Sequence, residues 1–253
     1  MGGVLMRVAV PVATLWVGPD RPREVDAAAV ADEPDVVSWL AALDEHPDDD
    51  ETGDGRLGLH DRVHTQLLAG EPVDVVEAVP AYPGWLEVVC PWQPSSLDAR
   101  GYPGWLRATH LVDDAAGGPG PPGPSHQSVL DRSDLSLNDV DLARKHLGLP
   151  YLWGGTSPLG LDCSGLVHTV QRALGHVVPR DAHDQQAALQ PVDPADAEPG
   201  DLYFFARRGR PAHHVGIVTG AYRMIHAAEG RAVVEEPLDE GRRATLSGAA
   251  RRP

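Results

Sequence analysis

Cys163 lies in the string Leu161-Asp162-Cys163-Ser164-Gly165, after the Gly-rich run YLWGGTSPLG. Apolar side chains follow at Leu166, Val167, Val170 and Leu174. With Cys163 they mark one face of a helix, and Gly175 supplies a stop. The spacing predicts a thiol at a helix N-terminus, where unpaired backbone N–H groups and the dipole favour an anion. Such a site lowers a cysteine pKa and creates the thiolate that attacks carbonyls. The same N–H groups can hold an oxyanion. A buried structural cysteine is the plain alternative, and the residues downstream weigh against it.

A nucleophilic cysteine needs a base, and the base needs an orienting group. The segment HHVGIVTGAYRMIHAAEG reads as two strands, His214–Val218 and Arg223–Ala227, joined by a turn containing Gly220. A hairpin centred on Gly220 makes His214 and His226 opposite neighbours with Cβ atoms roughly 5 Å apart. A turn at Gly220-Ala221 would instead set Ala227 opposite His214. In the first register His214 takes the thiol proton and His226 fixes its tautomer. His213 competes for the base role, but strand alternation sends it to the other face. The chain has 12 histidines, so neither imidazole carries the reading alone. Zinc held by Cys163, His214 and His226 is the rival use of the same groups. No CxxC pair accompanies them, and neither a metal nor another cofactor is expected.

The ordered blocks YLWGG, DCSGLV, PRDAHDQ, PGDLYFF, HHVGIV and MIHAAEG resemble the NlpC family of papain-like cysteine peptidases. The resemblance implies cleavage of peptidoglycan stem peptides between D-glutamate and a diamino acid. It puts the nucleophile on Cys163, the base on His214 and the third polar residue on His226. Tyr151 falls near the oxyanion site. Asp162 and Ser164, which flank the nucleophile, are assigned to the substrate side.

These groups must be positioned by an α+β fold. A papain-like peptidase domain, 134–253, is expected behind a small all-β SH3-like barrel, 1–113, with a Gly/Pro-rich linker at 114–133. In the first half, β-rich pieces recur at 7–10, 72–79 and 85–90, separated by Gly and Pro turns. The strings TQLLAGEPVDVVEAVPAYPGWLEVVCP and GYPGWLRATHLV resemble a bacterial SH3-like barrel, with Trp85 and Trp105 in its core. The stretch 34–43 reads as an inserted helix, with Val36, Trp39, Leu40 and Leu43 on one face. Asp44 to Asp54 reads as an acidic loop. In the second half a helix is expected over 138–147, and the Arg-, Ala- and Gly-rich tail after Gly241 reads as disordered.

A barrel ahead of the peptidase resembles γ-D-glutamyl-L-diamino acid endopeptidases, which act on trimmed stem peptides. In them the barrel helps bind the free amine of N-terminal L-alanine. The resemblance implies amine contacts from Asp181 in PRDAHDQ, Tyr102 in GYPGW and Glu71 in AGEPV. Tyr82 competes with Tyr102, because YPGWL occurs twice. An ammonium entering a closed site needs carboxylate neighbours. Helix capping is the simpler use of Asp181. Arg180 would face a substrate carboxylate or solvent.

A net charge of −16 argues against nucleic acid and anionic lipid as partners. No apolar run approaches the ~18–20 residues of a membrane span. The N-terminal stretch MGGVLMRVAVPVATLWVG lacks the basic start and cleavage site of a signal peptide and reads as the first barrel strand. Two cysteines give no disulfide framework. A cytoplasmic monomer working in murein recycling is expected, acting on a peptidoglycan-derived peptide. An amidase or acyltransferase using the same Cys/His/His site is the alternative, and a cell-wall-binding module is a further one.

Overall fold

The computed structural model of the protein describes residues 4–46, 53–77, 79–113 and 137–252. The expected linker at 114–133 lies outside the described residues, as do 47–52 of the acidic run. Two compact units are present. The first holds the described residues up to 113 together with Leu152–Leu159, and the second holds 137 to Tyr151 and everything from Gly160 onward.

The first unit is built on a seven-stranded antiparallel sheet. Its strands are β1 (Val4–Val8), β2 (Val12–Trp16), β3 (Val63–Leu68), β4 (Pro72–Glu77), β5 (Trp85–Cys90), β6 (Tyr102–Arg107) and β7 (Leu111–Asp113). They lie in the order β3-β2-β6-β5-β4-β1-β7. The stretch expected to be one opening strand is thus two, β1 and β2, which are not neighbours in the sheet. Every residue of β2 is buried. Val12 and Trp16 enter one apolar cluster while Ala13 and Leu15 enter another, as the strand's alternation requires.

The expected barrel is not closed: β3 and β7 are the two ends of an open order. Side chains occupy carbonyls of β3 instead. Trp153 Nε1 donates to Val63 O (2.9 Å), and Thr156 Oγ1 (2.9 Å) and Gln93 Nε2 (2.8 Å) both donate to Gln66 O. An end strand satisfied in this way is protected without a further strand. The same contacts explain why 152–159 belongs with the first unit, where Leu152 is buried and the Trp153 ring packs tilted against His60, with centroids 4.0 Å apart.

Two helices, α1 (Ala27–Val30) and α2 (Val36–Asp44), interrupt this sheet between β2 and β3. Asp35 caps α2, its carboxylate accepting from Ser38 N at 3.0 Å. Val36, Trp39, Leu40 and Leu43 are buried, the face expected from their spacing. Trp16 and Trp39 are the fully buried tryptophans; Trp85 and Trp105, expected in the core, are only partly covered.

The second unit pairs helices with a six-stranded antiparallel sheet. Helices α3 (Asp139–Arg144) and α4 (Cys163–Ala173) precede α5 (Ala182–Ala188), and α6 (Glu240–Thr245) comes late. Short strands β8 (Thr156–Ser157) and β9 (Gly160–Leu161) lie on the path into α4. The sheet contains β10 (Gln190–Val192), β11 (Leu202–Ala206), β12 (Ala212–Gly220), β13 (Arg223–Ala227), β14 (Val233–Pro237) and β15 (Leu246–Arg251). Their order is β10-β15-β11-β12-β13-β14. Leu166, Val167 and Val170 of α4 join Phe204, Val215, Ile217 and Ile225 of the sheet in one buried cluster.

Two expectations fail here. Helix α3 ends at Arg144 rather than running to Leu147. The tail read as disordered forms α6 and an inner strand. Asp239 caps α6 by accepting from Arg242 N at 2.7 Å. Strand β15 then inserts between β10 and β11, burying Ala249 and Ala250, and Arg251 pairs with Asp201 at 2.8 Å. Small side chains suit a strand squeezed between neighbours, and composition alone hides that role.

Candidate active site

The backbone first fixes the thiol. Asp162 is the N-cap of α4, and its Oδ1 accepts from Gly165 N at 2.6 Å. Cys163 is therefore the first helical residue, as the sequence predicts, and is 7% exposed. Its Sγ donates a long bond to His213 O at 3.9 Å, and the Val215 and Ser164 N–H groups also favour the thiolate. The sulfur thus lies against β12 at the residues that flank His214.

The expected low thiol pKa is not found. Burial pushes Cys163 up to about 12, and the Asp162 carboxylate adds to the rise. Arg180 and the two N–H groups pull the other way but do not win. Desolvation outweighs the helix terminus because so little of the sulfur meets water. The resting site therefore holds a thiol.

Arg180 faces neither solvent nor an open pocket. Its side chain is 1% exposed, with Nη2 on Asp162 Oδ2 at 2.6 Å and Nη1 on Asp162 Oδ1 (3.0 Å) and Ser164 Oγ (2.9 Å). Asp162 and Ser164, expected on the substrate side, thus have internal partners. A bidentate pair of this kind is strong, and breaking it would leave a buried charge uncompensated.

The two histidines are set by a hairpin. The observed register pairs Ile217 with Ile225 and Val218 with Met224, then Gly220 with Arg223 past an irregularity at Thr219. Neither expected turn occurs. The loop is Ala221-Tyr222, with Tyr222 at φ +52, and the extra residue is absorbed as a bulge. Continuing this register sets His226 beside Gly216 and makes His214 its diagonal neighbour. A shift of two residues keeps the same face. The imidazoles consequently still meet: His214 Nε2 lies 2.9 Å from His226 Nδ1, with the rings nearly perpendicular at 86°. His213 is exposed, as alternation predicts. The two facing nitrogens bond each other rather than converging on a common point, a geometry unsuited to one zinc ion.

His226 is fully buried, and its Nε2 lies 3.1 Å from Glu236 Oε1. Burial holds His226 down to about 4, with Arg242 adding to the fall and Glu236 opposing it. Burial also carries His214 well below the usual histidine range, reinforced by His226, Arg242 and His213. Both rings are neutral at pH 7. Sequence reasoning missed Glu236. The signal was strand alternation along Val234-Glu235-Glu236, but using it required the β13–β14 register, in which His226 pairs with Val234.

Tyr151 is partly buried against the cluster that contains Cys163. Burial, Cys163 and Asp162 all raise its pKa, so the phenol stays protonated. Asp181 is the N-cap residue of α5, although its carboxylate makes no capping bond there. It gathers with His183 and Asp184, one ligand atom from each lying within 4.8 Å of the others. In the first unit Tyr102 is 4% exposed and stacks 5.1 Å from His64, whereas its rival Tyr82 is 40% exposed. Glu71 is 2% exposed, and its Oε1 accepts from Leu68 N at 3.1 Å.

Residues 148–250 match the NlpC/P60 family. A gamma-D-glutamyl-L-lysine dipeptidyl-peptidase of Bacillus subtilis (strain 168) is 32% identical over 275 aligned positions, covering 85% of this chain and 87% of the relative. The chain belongs to the NlpC/P60 family. Members of this family are cysteine peptidases with a papain-like fold. A Bacillus cereus (strain ATCC 10987) dipeptidyl-peptidase of the same description is 28% identical, over 90% of this chain and 84% of its own. The crystal structure of an NlpC/P60 family protein from Bacillus cereus ATCC 10987 superposes with a TM-score of 0.81 at 25% identity, covering 98% of this chain and 99% of that one.

Proposed function

We propose that this NlpC/P60 protein is an endopeptidase that hydrolyses the bond between γ-D-glutamate and a diamino acid in peptidoglycan-derived peptides. The observation that carries the reading is the 2.9 Å contact between His214 and His226, beside a thiol lying against the residues that flank His214. His214 Nε2 is engaged by His226, so Nδ1 is the nitrogen left to take the Cys163 proton. The sulfur attacks the γ-glutamyl carbonyl as that proton moves. The Cys163 N–H at the start of α4 and the protonated Tyr151 phenol are the oxyanion donors. His214 then protonates the departing amine. Water hydrolyses the thioester with His214 again acting as base.

The substrate class is supported by the names of the two Bacillus relatives, both gamma-D-glutamyl-L-lysine dipeptidyl-peptidases. A dipeptidyl-peptidase releases two residues from an amino terminus, so the first amine is a natural recognition point. We assign that amine to Asp181, and the setting to cytoplasmic recycling of trimmed stem peptides by a monomer.

Mass-spectrometric digestion of L-Ala-γ-D-Glu-diaminopimelate, its L-Lys analogue and their N-acetylated forms tests the reading, with Cys163→Ala as control. The expected result is cleavage of the free-amine peptides alone, abolished in the variant. Equal cleavage of acetylated and free peptides would overturn the amine assignment. No cleavage of any would favour amidase or acyl-transfer chemistry, or a binding module.

A further inference from the structure

The contacts of the two histidines do not stop at His226. Glu236 lies on β14, the end strand of its sheet, two residues beyond the Val234 that pairs with His226. Its Oε1 meets His226 Nε2 at 3.1 Å. Arg231 contacts both carboxylate oxygens, at 3.3 Å and 3.2 Å, and Arg242 Nε lies 3.9 Å away. Burial opposes ionisation of the Glu236 carboxyl, but His226 and Arg231 win and hold it below its ordinary range. It is ionised at neutral pH and can only accept.

An acceptor at one end of a chain of neutral imidazoles dictates every proton along it. His226 must carry its proton at Nε2 to donate to Glu236, which leaves Nδ1 as an acceptor. His214 must then carry its proton at Nε2 to donate to that Nδ1. His214 Nδ1 is left with a free lone pair, as removal of the Cys163 proton requires. With a donor in place of Glu236 each tautomer would reverse. His214 Nδ1 would bear hydrogen, and the thiol could not be deprotonated by it.

We infer that Glu236 is a positioning residue of the active site, fixing the tautomers of both His226 and His214 through one relay. The inference rests on the reading of Cys163 and His214 as the reacting pair. Glu236 touches no substrate, and it acts through His226. Arg231 keeps the carboxylate charged and oriented.

Two measurements test the relay. Nitrogen–proton correlation spectra of histidine-labelled wild-type protein at pH 7.5, without substrate, read the tautomers directly. Both His214 and His226 should carry hydrogen at Nε2. Kinetics of Glu236→Gln and Glu236→Asp on the free-amine peptide supply the second arm. The glutamine amide can turn its NH2 toward His226, so kcat should fall tenfold or more while KM changes less than about twofold. The spectrum should then show an Nδ1–H form, and Glu236→Asp should recover much of the activity. A wild-type His214 protonated at Nδ1 overturns the inference whatever the variants do, as does a Glu236→Gln enzyme with kcat within twofold of wild type. Failure of the peptidase reading would appear separately, as a wild-type protein with the expected tautomers and no cleavage.

Discussion

At the scale of single residues, Cys163 and His214 are both uncharged at pH 7. Cys163 rests as a thiol with its pKa pushed up to about 12, beside a neutral His214 held well below 6.5. In the proposed mechanism sulfur becomes nucleophilic only as the proton crosses to the imidazole, so the reaction depends on general-base transfer more than on a standing thiolate. Alkylation by iodoacetamide at pH 6–8 should therefore be slow and should climb with pH toward the alkaline range. The acid limb of kcat/KM should lie below pH 6.5, where His214 gains a proton and ceases to be a base. Rapid alkylation that is already maximal at pH 5 would refute this picture, since it would require a preformed thiolate–imidazolium pair. Arg180 moderates the Asp162 charge beside the sulfur, and without it burial of that carboxylate would raise the thiol further.

At the scale of elements, the site depends on how β12 and β13 lie together. A Cβ placed on Gly216 would come 2.4 Å from Met224 Sδ and 3.1 Å from His226 Cβ. Met224 is fully buried and has nowhere to retreat. Gly216→Ala should cost about 1–3 kcal/mol through overpacking. It should also lower kcat about tenfold or more, by displacing His226 from its two partners. Steady-state kinetics beside a urea melt would separate the two effects. Unchanged kcat with the expected loss of stability would mean that the hairpin absorbs the methyl elsewhere. Much of this geometry is legible in the chain. The α4 face, the thiol at its N-terminus and the shared face of the two histidines follow from local spacing, because a two-residue slip of register preserves strand parity. What escapes is what depends on distant pairing. Glu236 becomes visible only through the β13–β14 register, and Arg180 only through the fold that returns it to Asp162. The open first sheet is decided by side chains from 93, 153 and 156 that occupy carbonyls of β3. Strand β15 has no hydrophobic alternation to announce it, since Ala249 and Ala250 fill an inner strand by being small.

At the scale of the whole molecule, buried neutral histidines make stability depend on pH. The folded-state pKa of His226 is about 4 against an ordinary 6.5, and burial lowers His214, His110 and His146 as well. The unfolded chain therefore binds more protons than the folded one between those values. The contribution is complete above pH 6.5 and is lost as pH falls toward 4, by roughly 3 kcal/mol for His226 alone. Urea midpoints at pH 7.5, 5.5 and 4.5 should fall in that order, and His226→Asn should flatten part of the slope. A midpoint constant across this range would show that the imidazoles take up protons in the fold as readily as in the unfolded chain. Among the described residues no helix is long and apolar enough to cross a membrane.

Strand β15 has a consequence for the order in which the protein can be made. It is the last strand of the peptidase sheet in sequence, yet it separates β10 from β11 and bonds to both. A ribosome translating this chain has already delivered Cys163, both histidines and Glu236 before Leu246 emerges. Until it does, β10 and β11 have no shared partner, and Asp201 lacks Arg251. The sheet is completed only when this late segment threads into the gap between strands made well before it. Folding of the second unit is thus delayed until Leu246–Arg251 has been made, well after Cys163 has left the ribosome.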